Sequence, residues 1–248
     1  MLIDRNRSAW TAAGRASLLL VLCLGLTACP RPVKQPPPAP NVPPPTPSEP
    51  APPPVPEGAA IYEIAAQDSV LHILVYRGGT FARLGHNHVM SSKAVTGRVW
   101  LRPQWAQSGF DLSFPVADLI VDDPEARRAA GSDFPLEIPA SDKEGTRKNM
   151  LRKEVLDAAT YPRVTVKSAS LSGSIQAPQI TASITIKDTT RDVIVPARIV
   201  VNGDRLTAEG EFDIQQTAFG MKPFSVALGA LEVQDRLHVR FNLVAVKR

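Results

Sequence analysis

The sequence predicts an all-β domain with one or two short helices, preceded by a segment that does not fold with it. Three observations lead there. Segments rich in valine, isoleucine and threonine alternate with a period of two beyond Gly58, helical apolar spacing is confined to two stretches, and prolines crowd into the region before Gly58. A length of 248 residues accommodates one domain of ordinary size plus appendages.

Residues 1–28 read as a secretory leader. Arg5, Arg7 and Arg15 precede the apolar run Ala16 to Leu26, which is shorter than the roughly 20 residues of a stable membrane span. The run closes on Leu26-Thr27-Ala28-Cys29, a branched apolar residue, two small ones and a cysteine, which resembles the lipobox of bacterial lipoprotein precursors. That resemblance implies cleavage before Cys29 and acylation of its thiol and new amine. The alternatives are an ordinary leader with a chance cysteine and a short uncleaved anchor. Cys23 leaves with the leader and Cys29 is consumed by lipid, so no thiol remains for a disulfide and the domain relies on its apolar core. Loss of the leader removes three arginines and one aspartate, taking the formal charge from +4 to +2. Such a balance gives no reason to expect nucleic-acid binding.

From Pro30 to Pro56 more than half the residues are proline. A stretch so poor in amide donors favours extended polyproline II and could reach roughly 80 Å at 3.1 Å per residue. It is expected to be a tether, residues 29–57, with the folded domain spanning 58–248.

Within that domain Ile180, Ala182, Ile184 and Ile186 share one face of a strand over Gln179 to Lys187, while Thr181, Ser183, Thr185 and Lys187 share the other. Leu206, Ala208, Gly210, Phe212 and Ile214 alternate in the same way, as do Leu237, Val239, Phe241, Leu243 and Ala245. These are antiparallel-type strands with one dry and one wet side. Further strands are expected over Ile61 to Ala66, Val70 to Tyr76, Ala94 to Leu101, Phe110 to Phe114, Arg163 to Ser168, Val193 to Val201 and Phe224 to Leu228, and Asn202-Gly203-Asp204 makes a hairpin turn. A helix is expected from Thr146 to Ala159, where Met150, Leu151, Val155 and Leu156 form a stripe before Tyr161-Pro162, and a shorter one from Asp123 to Ala130. Eight or more half-buried strands give either a sandwich or a closed barrel, and only a barrel leaves a bore for an apolar ligand.

Four stretches carry a family resemblance. They are Val95 to Val99 with its central Gly97, Leu151 through the Tyr161-Pro162 turn to Ser168, Ala182 to Val193, and Phe212 to Met221 with Phe219-Gly220. In order and spacing they resemble a YceI-like domain over about Ile61 to Val246. Three features depart from the family pattern: Asp188 stands where a glycine is usual, Lys153-Glu154-Val155-Leu156 replaces an aromatic pair, and the first hairpin carries Gly85-His86-Asn87-His88. The resemblance implies an extended antiparallel eight-stranded lipocalin-like barrel whose bore takes a long isoprenoid chain, such as a polyprenyl lipid or a quinone tail. It also implies a periplasmic setting, and some relatives form homodimers.

In a closed barrel Ile184, Ile186, Leu206, Phe212, Ile214, Val239, Phe241 and Leu243 point inward, joined by Phe219, and a hydrocarbon tail gains about 25 cal/mol per Å² buried there. They could equally pack against one another. His86 and His88 at i and i+2 share a face of an extended segment, which is how a strand presents two imidazoles to a metal or a haem; they could instead bond backbone or a ligand headgroup. The headgroup or structural role is the expectation, with His72 and His238 the other histidines and His238 on a wet face. Asp122, Asp123 and Asp133 read as turn and cap residues. No serine-nucleophile elbow, phosphate-binding loop, dinucleotide fingerprint or free thiol is present, so nothing calls for catalysis. The expected function is carriage or sequestration of a long-tailed amphiphile by a protein anchored to the outer membrane and facing the periplasm. A metal or haem domain centred on His86 and His88, and a scaffolding module with a filled barrel, are the alternatives.

Overall fold

The computed structural model describes residues 55–135 and 137–248; the leader, Cys29 and most of the tether lie outside the described residues. Among the described residues thirteen strands form one antiparallel sheet. Along the chain come β1 (Ala60–Ile64), β2 (Val70–Gly78), β3 (His88–Ser92), β4 (Thr96–Leu101), β5 (Gly109–Pro115), β6 (Ile120–Val121), α1 (Pro124–Ala130) and α2 (Ala140–Leu151). There follow β7 (Arg163–Ser174), β8 (Ala177–Ile186), β9 (Thr189–Ile194), β10 (Ala197–Asn202), β11 (Arg205–Gln215), β12 (Ser225–Val226) and β13 (Leu231–Lys247). The sheet runs β6-β3-β2-β13-β1-β4-β5-β7-β8-β9, with β11 on the other edge of β13 and β10 on β11.

The last strand organises this order. β13 pairs along its length with β11, while its opposite edge takes β2 through Glu232 to Asn242 and β1 through Ala245 to Lys247. A register shift between Val233 and Leu237 interrupts its pairing with β2.

The hydrogen-bonded ladder does not close on itself. One expected strand, Val193 to Val201, is split at Val195-Pro196, because proline has no N–H with which to continue a ladder. The chain crosses the seam there: β9 pairs with β8, the Val195 N–H donates to the Ile180 carbonyl at 2.9 Å, and β10 then pairs with β11. Gly210 permits the crossing, since a Cβ on it would lie 2.2 Å from the Pro196 carbonyl oxygen. The fold is thus the expected antiparallel one with two short helices, curled around an apolar interior and open at one seam.

The helices differ from expectation in one respect. α1 starts where Asp123 caps it, its carboxylate accepting from the Glu125 and Ala126 N–H groups at 3.0 and 3.1 Å. α2, however, occupies Ala140–Leu151 and not Thr146 to Ala159. Arg152 turns extended, and the chain doubles back so that the Leu156 and Ala158 N–H groups bond the Met150 and Leu151 carbonyls. The apolar stripe was real, but Val155 and Leu156 reach the core from turns. The polar start of α2, Ser141 to Lys148, shows no period from which a helix could be read. Phe224 to Leu228 contributes only the short β12, while β3 and β6 lie in segments where no strand was expected.

Candidate ligand-binding site

The apolar faces of the strands enclose two cavities, of about 140 and about 250 Å³. Leu71, Phe114, Val166 and Phe212 line both, so the chambers meet at a waist of four side chains. Together they fall in the range of about 300–1,000 Å³ occupied by small-molecule sites. The smaller chamber is walled by β4, β5, β8, β10 and β11, with Leu206, Phe241 and Leu243 among its residues and Ala182 on its wall. The larger takes Ile184, Ile186, Ile214 and Val239, roofed by Met150 of α2 and by Val155 and Leu156 beyond it.

Polar side chains are few in the lining: His88, Thr146, Asn149 and Gln216 in the larger chamber and Ser108 in the smaller. In the larger chamber His88, Thr146 and Asn149 bring one strand and one helix to a single polar corner. The His88 Nδ1 lies 2.7 Å from Asp122 Oδ2, so its proton is donated to that carboxylate. The Nε2 lies 3.4 Å from the Thr146 hydroxyl.

Asp122 is the hub of this corner. It is fully buried, takes a left-handed backbone with φ of 55°, accepts from the Val89 N–H at 2.9 Å and pairs with the buried Arg127. Burial pushes its carboxyl upward, yet hydrogen bonds from His88 and Val89 and the charges of His88 and Arg127 outweigh that and hold it below the ordinary carboxylate value. Arg127 also bonds the Asn87 carbonyl at 2.8 Å and the Pro135 carbonyl. Lys143 and Arg147 pin α2 to the Asp122 and Leu119 carbonyls at 2.9 and 2.7 Å. The helix over the larger chamber is therefore held by cations bonding carbonyls.

Several sequence-based placements are met and others are not. Eight of the expected inward positions, Ile184, Ile186, Leu206, Phe212, Ile214, Val239, Phe241 and Leu243, line the chambers, as does His88. Phe219 is buried but packs in the surrounding core without lining either chamber. His86 does not reach the interior: it sits in the bend before β3, its Nδ1 3.8 Å from Asp142 and its ring centroid 6.3 Å from that of His88. Among the described residues no group of three or more His, Cys, Asp or Glu side chains is placed to hold a metal ion. Asp123 is a cap as expected, whereas Asp122, read as a turn residue, is both a turn residue and the anchor of His88. His238 is on the outer face, bonded to Asp213 at 2.8 Å and to Glu211 at 3.3 Å.

The family model for a YceI-like domain matches residues 62–245, nearly all of the described fold. The chain belongs to the YceI-like family. This YceI-like domain shares its fold with BcnA of Burkholderia cenocepacia, with a TM-score of 0.54 and 20% identity over 74% of this chain and 99% of that one. A polyisoprenoid binding domain from Saccharophagus degradans is similar at a TM-score of 0.47 and 12% identity, over 75% of this chain and 98% of its own. The YceI protein of Campylobacter jejuni follows at 0.45 and 13%, over 63% and 82%. No curated protein matches the sequence.

Asp188, which departs from the usual family turn, accepts a hydrogen bond from the Tyr161 hydroxyl at 3.4 Å. Its charge, followed by burial and that bond, raises the phenol above its ordinary value. The turn's left-handed position falls on Lys187, with φ of 57°.

Proposed function

We propose that this YceI-like protein binds a long-chain amphiphile, of polyisoprenoid or quinone type, and carries or sequesters it in the cell envelope. The observation that carries this reading is the pair of apolar chambers meeting at a common waist, with polar side chains collected at His88, Thr146 and Asn149. A hydrocarbon tail fits the apolar lining, and a polar headgroup able to hydrogen-bond the His88 ring fits the corner. Leader, lipobox and proline-rich tether support attachment through acylated Cys29 to the outer membrane, with the domain in the periplasm. Binding needs no catalytic group.

Purification of the full chain from its own membranes in mild detergent, followed by solvent extraction and mass spectrometry, tests the proposal. A near-stoichiometric long-tailed amphiphile is expected. Chain recovered without lipid, and unable to take up a polyprenol or a quinone, overturns it. The anchor is tested separately by radiolabelled palmitate, which Cys29→Ser should fail to incorporate.

A further inference from the structure

Nine large hydrophobic side chains are exposed among the described residues, and four of them, Phe81, Leu84, Val226 and Leu228, belong to two loops at one end of the domain. The loops form one surface. The Phe81 N–H donates to the Ala230 carbonyl at 2.6 Å, and a Cβ on Gly79 would lie 2.4 Å from the Gly229 carbonyl oxygen. Leu228 is fully exposed, at 109%, and Leu84 is 68% exposed. Ala227 and Leu228 both take left-handed backbone, with φ of 50° and 56°, a conformation L residues avoid, and it leaves the leucine in water. A soluble surface has no use for such an arrangement.

Two further observations say what covers it. Charged residues of the two loops and the adjoining turns are mostly basic: Arg77, Arg83, Arg152, Lys153, Lys187 and Lys222, against Glu154, Asp188, Glu232 and Asp235. The Arg152 guanidinium lies 5.4 Å from the ring centre of Phe224, Lys187 reaches the Lys153 and Gly220 carbonyls, and Arg77 bonds the Gly85 carbonyl. The tip also adjoins the larger chamber, whose lining includes Met221, Phe224 and Val233. An apolar tip within a basic surround is the pattern that inserts among acyl chains while its cations meet anionic headgroups.

We infer that the Phe81–Leu84 and Val226–Leu228 loops form a membrane-docking tip that sets the mouth of the larger chamber against an anionic bilayer. The inference deepens the lipid-binding reading and rests on it only for the purpose of docking, which is to let a tail pass from leaflet to chamber without crossing water. Chain length allows the orientation. β1 begins beside Lys247, at the end of β13 opposite the tip, and the 17 residues of β13 span about 55 Å. A tether able to reach roughly 80 Å is long enough for the far end to turn back onto the anchoring membrane.

The test uses the full chain with Cys23→Ser and Cys29→Ser, so that an introduced cysteine is its one thiol. An environment-sensitive fluorophore is attached at Leu228→Cys or, at the opposite end, at Asn202→Cys. Vesicles are of equal parts phosphatidylethanolamine and phosphatidylglycerol, or of phosphatidylcholine alone, each with a trace of nitroxide-bearing lipid. The expected result is a blue shift and quenching at position 228 with the anionic vesicles, several-fold stronger than at position 202. Arg83→Glu with Lys222→Glu should abolish the difference. Equal solvent exposure at both positions overturns the inference. So does a shift at 228 that needs no vesicles and grows with protein concentration, since that marks a second copy of the chain as the occupant. Insertion by a chain from which no lipid can be extracted leaves docking standing and removes the lipid-binding reading instead.

Discussion

The imidazole of His88 is fixed by the carboxylate of Asp122, 2.7 Å away, so the residue facing the lipid chamber and the residue buried behind it form one unit with Arg127. An ion pair sequestered in this way does little for stability against an apolar replacement, but removing one member strands the other.

Asp122→Ala should therefore destabilise the domain by about 3–5 kcal/mol, read from urea unfolding. Asp122→Asn adds a pH signature. The folded carboxyl lies below its ordinary 3.8, so its contribution is complete above that unfolded value and is lost as the pH falls through the lower folded one. The wild type should lose stability in that acid window more steeply than Asp122→Asn; identical acid limbs would show that the carboxylate is not held by its partners.

Ala182 lies on the wall of the smaller chamber and is almost fully buried. Ala182→Phe should fill that space, shortening the tails retained after purification while the melting temperature stays near that of the wild type. Unchanged tail-length distribution by mass spectrometry would place the ligand elsewhere.

His88→Gln removes the ring nitrogen that faces the chamber. Affinity for a polyprenol should fall about tenfold, corresponding to about 1.4 kcal/mol, with little change for a tail-matched hydrocarbon lacking the headgroup. Fluorescence competition separates the two, and equal losses for both ligands would assign His88 to packing.

Gly210→Ala places a methyl against the Pro196 carbonyl. The expected cost is about 1–3 kcal/mol, accompanied by faster amide exchange at Val195, whose N–H bonds Ile180 across the seam. Unaltered protection at Val195 would mean that the crossing yields without opening.

Much of this was legible from periodicity. Strict alternation along β8, β11 and β13 marks which side chains face inward, and the chambers are lined accordingly, because a strand with one wet face leaves its dry face a single direction. The polar corner was half legible. His88 stands out in the sequence as a histidine near a turn, but Asp122 and Arg127 become its supports only through pairing of β3 with β6, a contact between segments about thirty residues apart. His86 shows the limit of local geometry: the i, i+2 rule holds for an extended strand, and the strand begins only at His88. The start of α2 before Thr146 was not legible because the helix is attached by Lys143, Thr146 and Arg147 reaching carbonyls and a ring nitrogen, which leaves no apolar period.

The central place of β13 in the sheet constrains how the molecule is assembled. Its edges receive β1, β2, β11 and β12, elements drawn from both extremes of the sequence, and β1 and β2 meet β11 only through it. Until β13 docks, β1 is held only by β4 and β2 only by β3, and the two ladders stay separate. Docking of this one strand is thus the long-range step that joins them, the kind of pairing that sets the pace of folding.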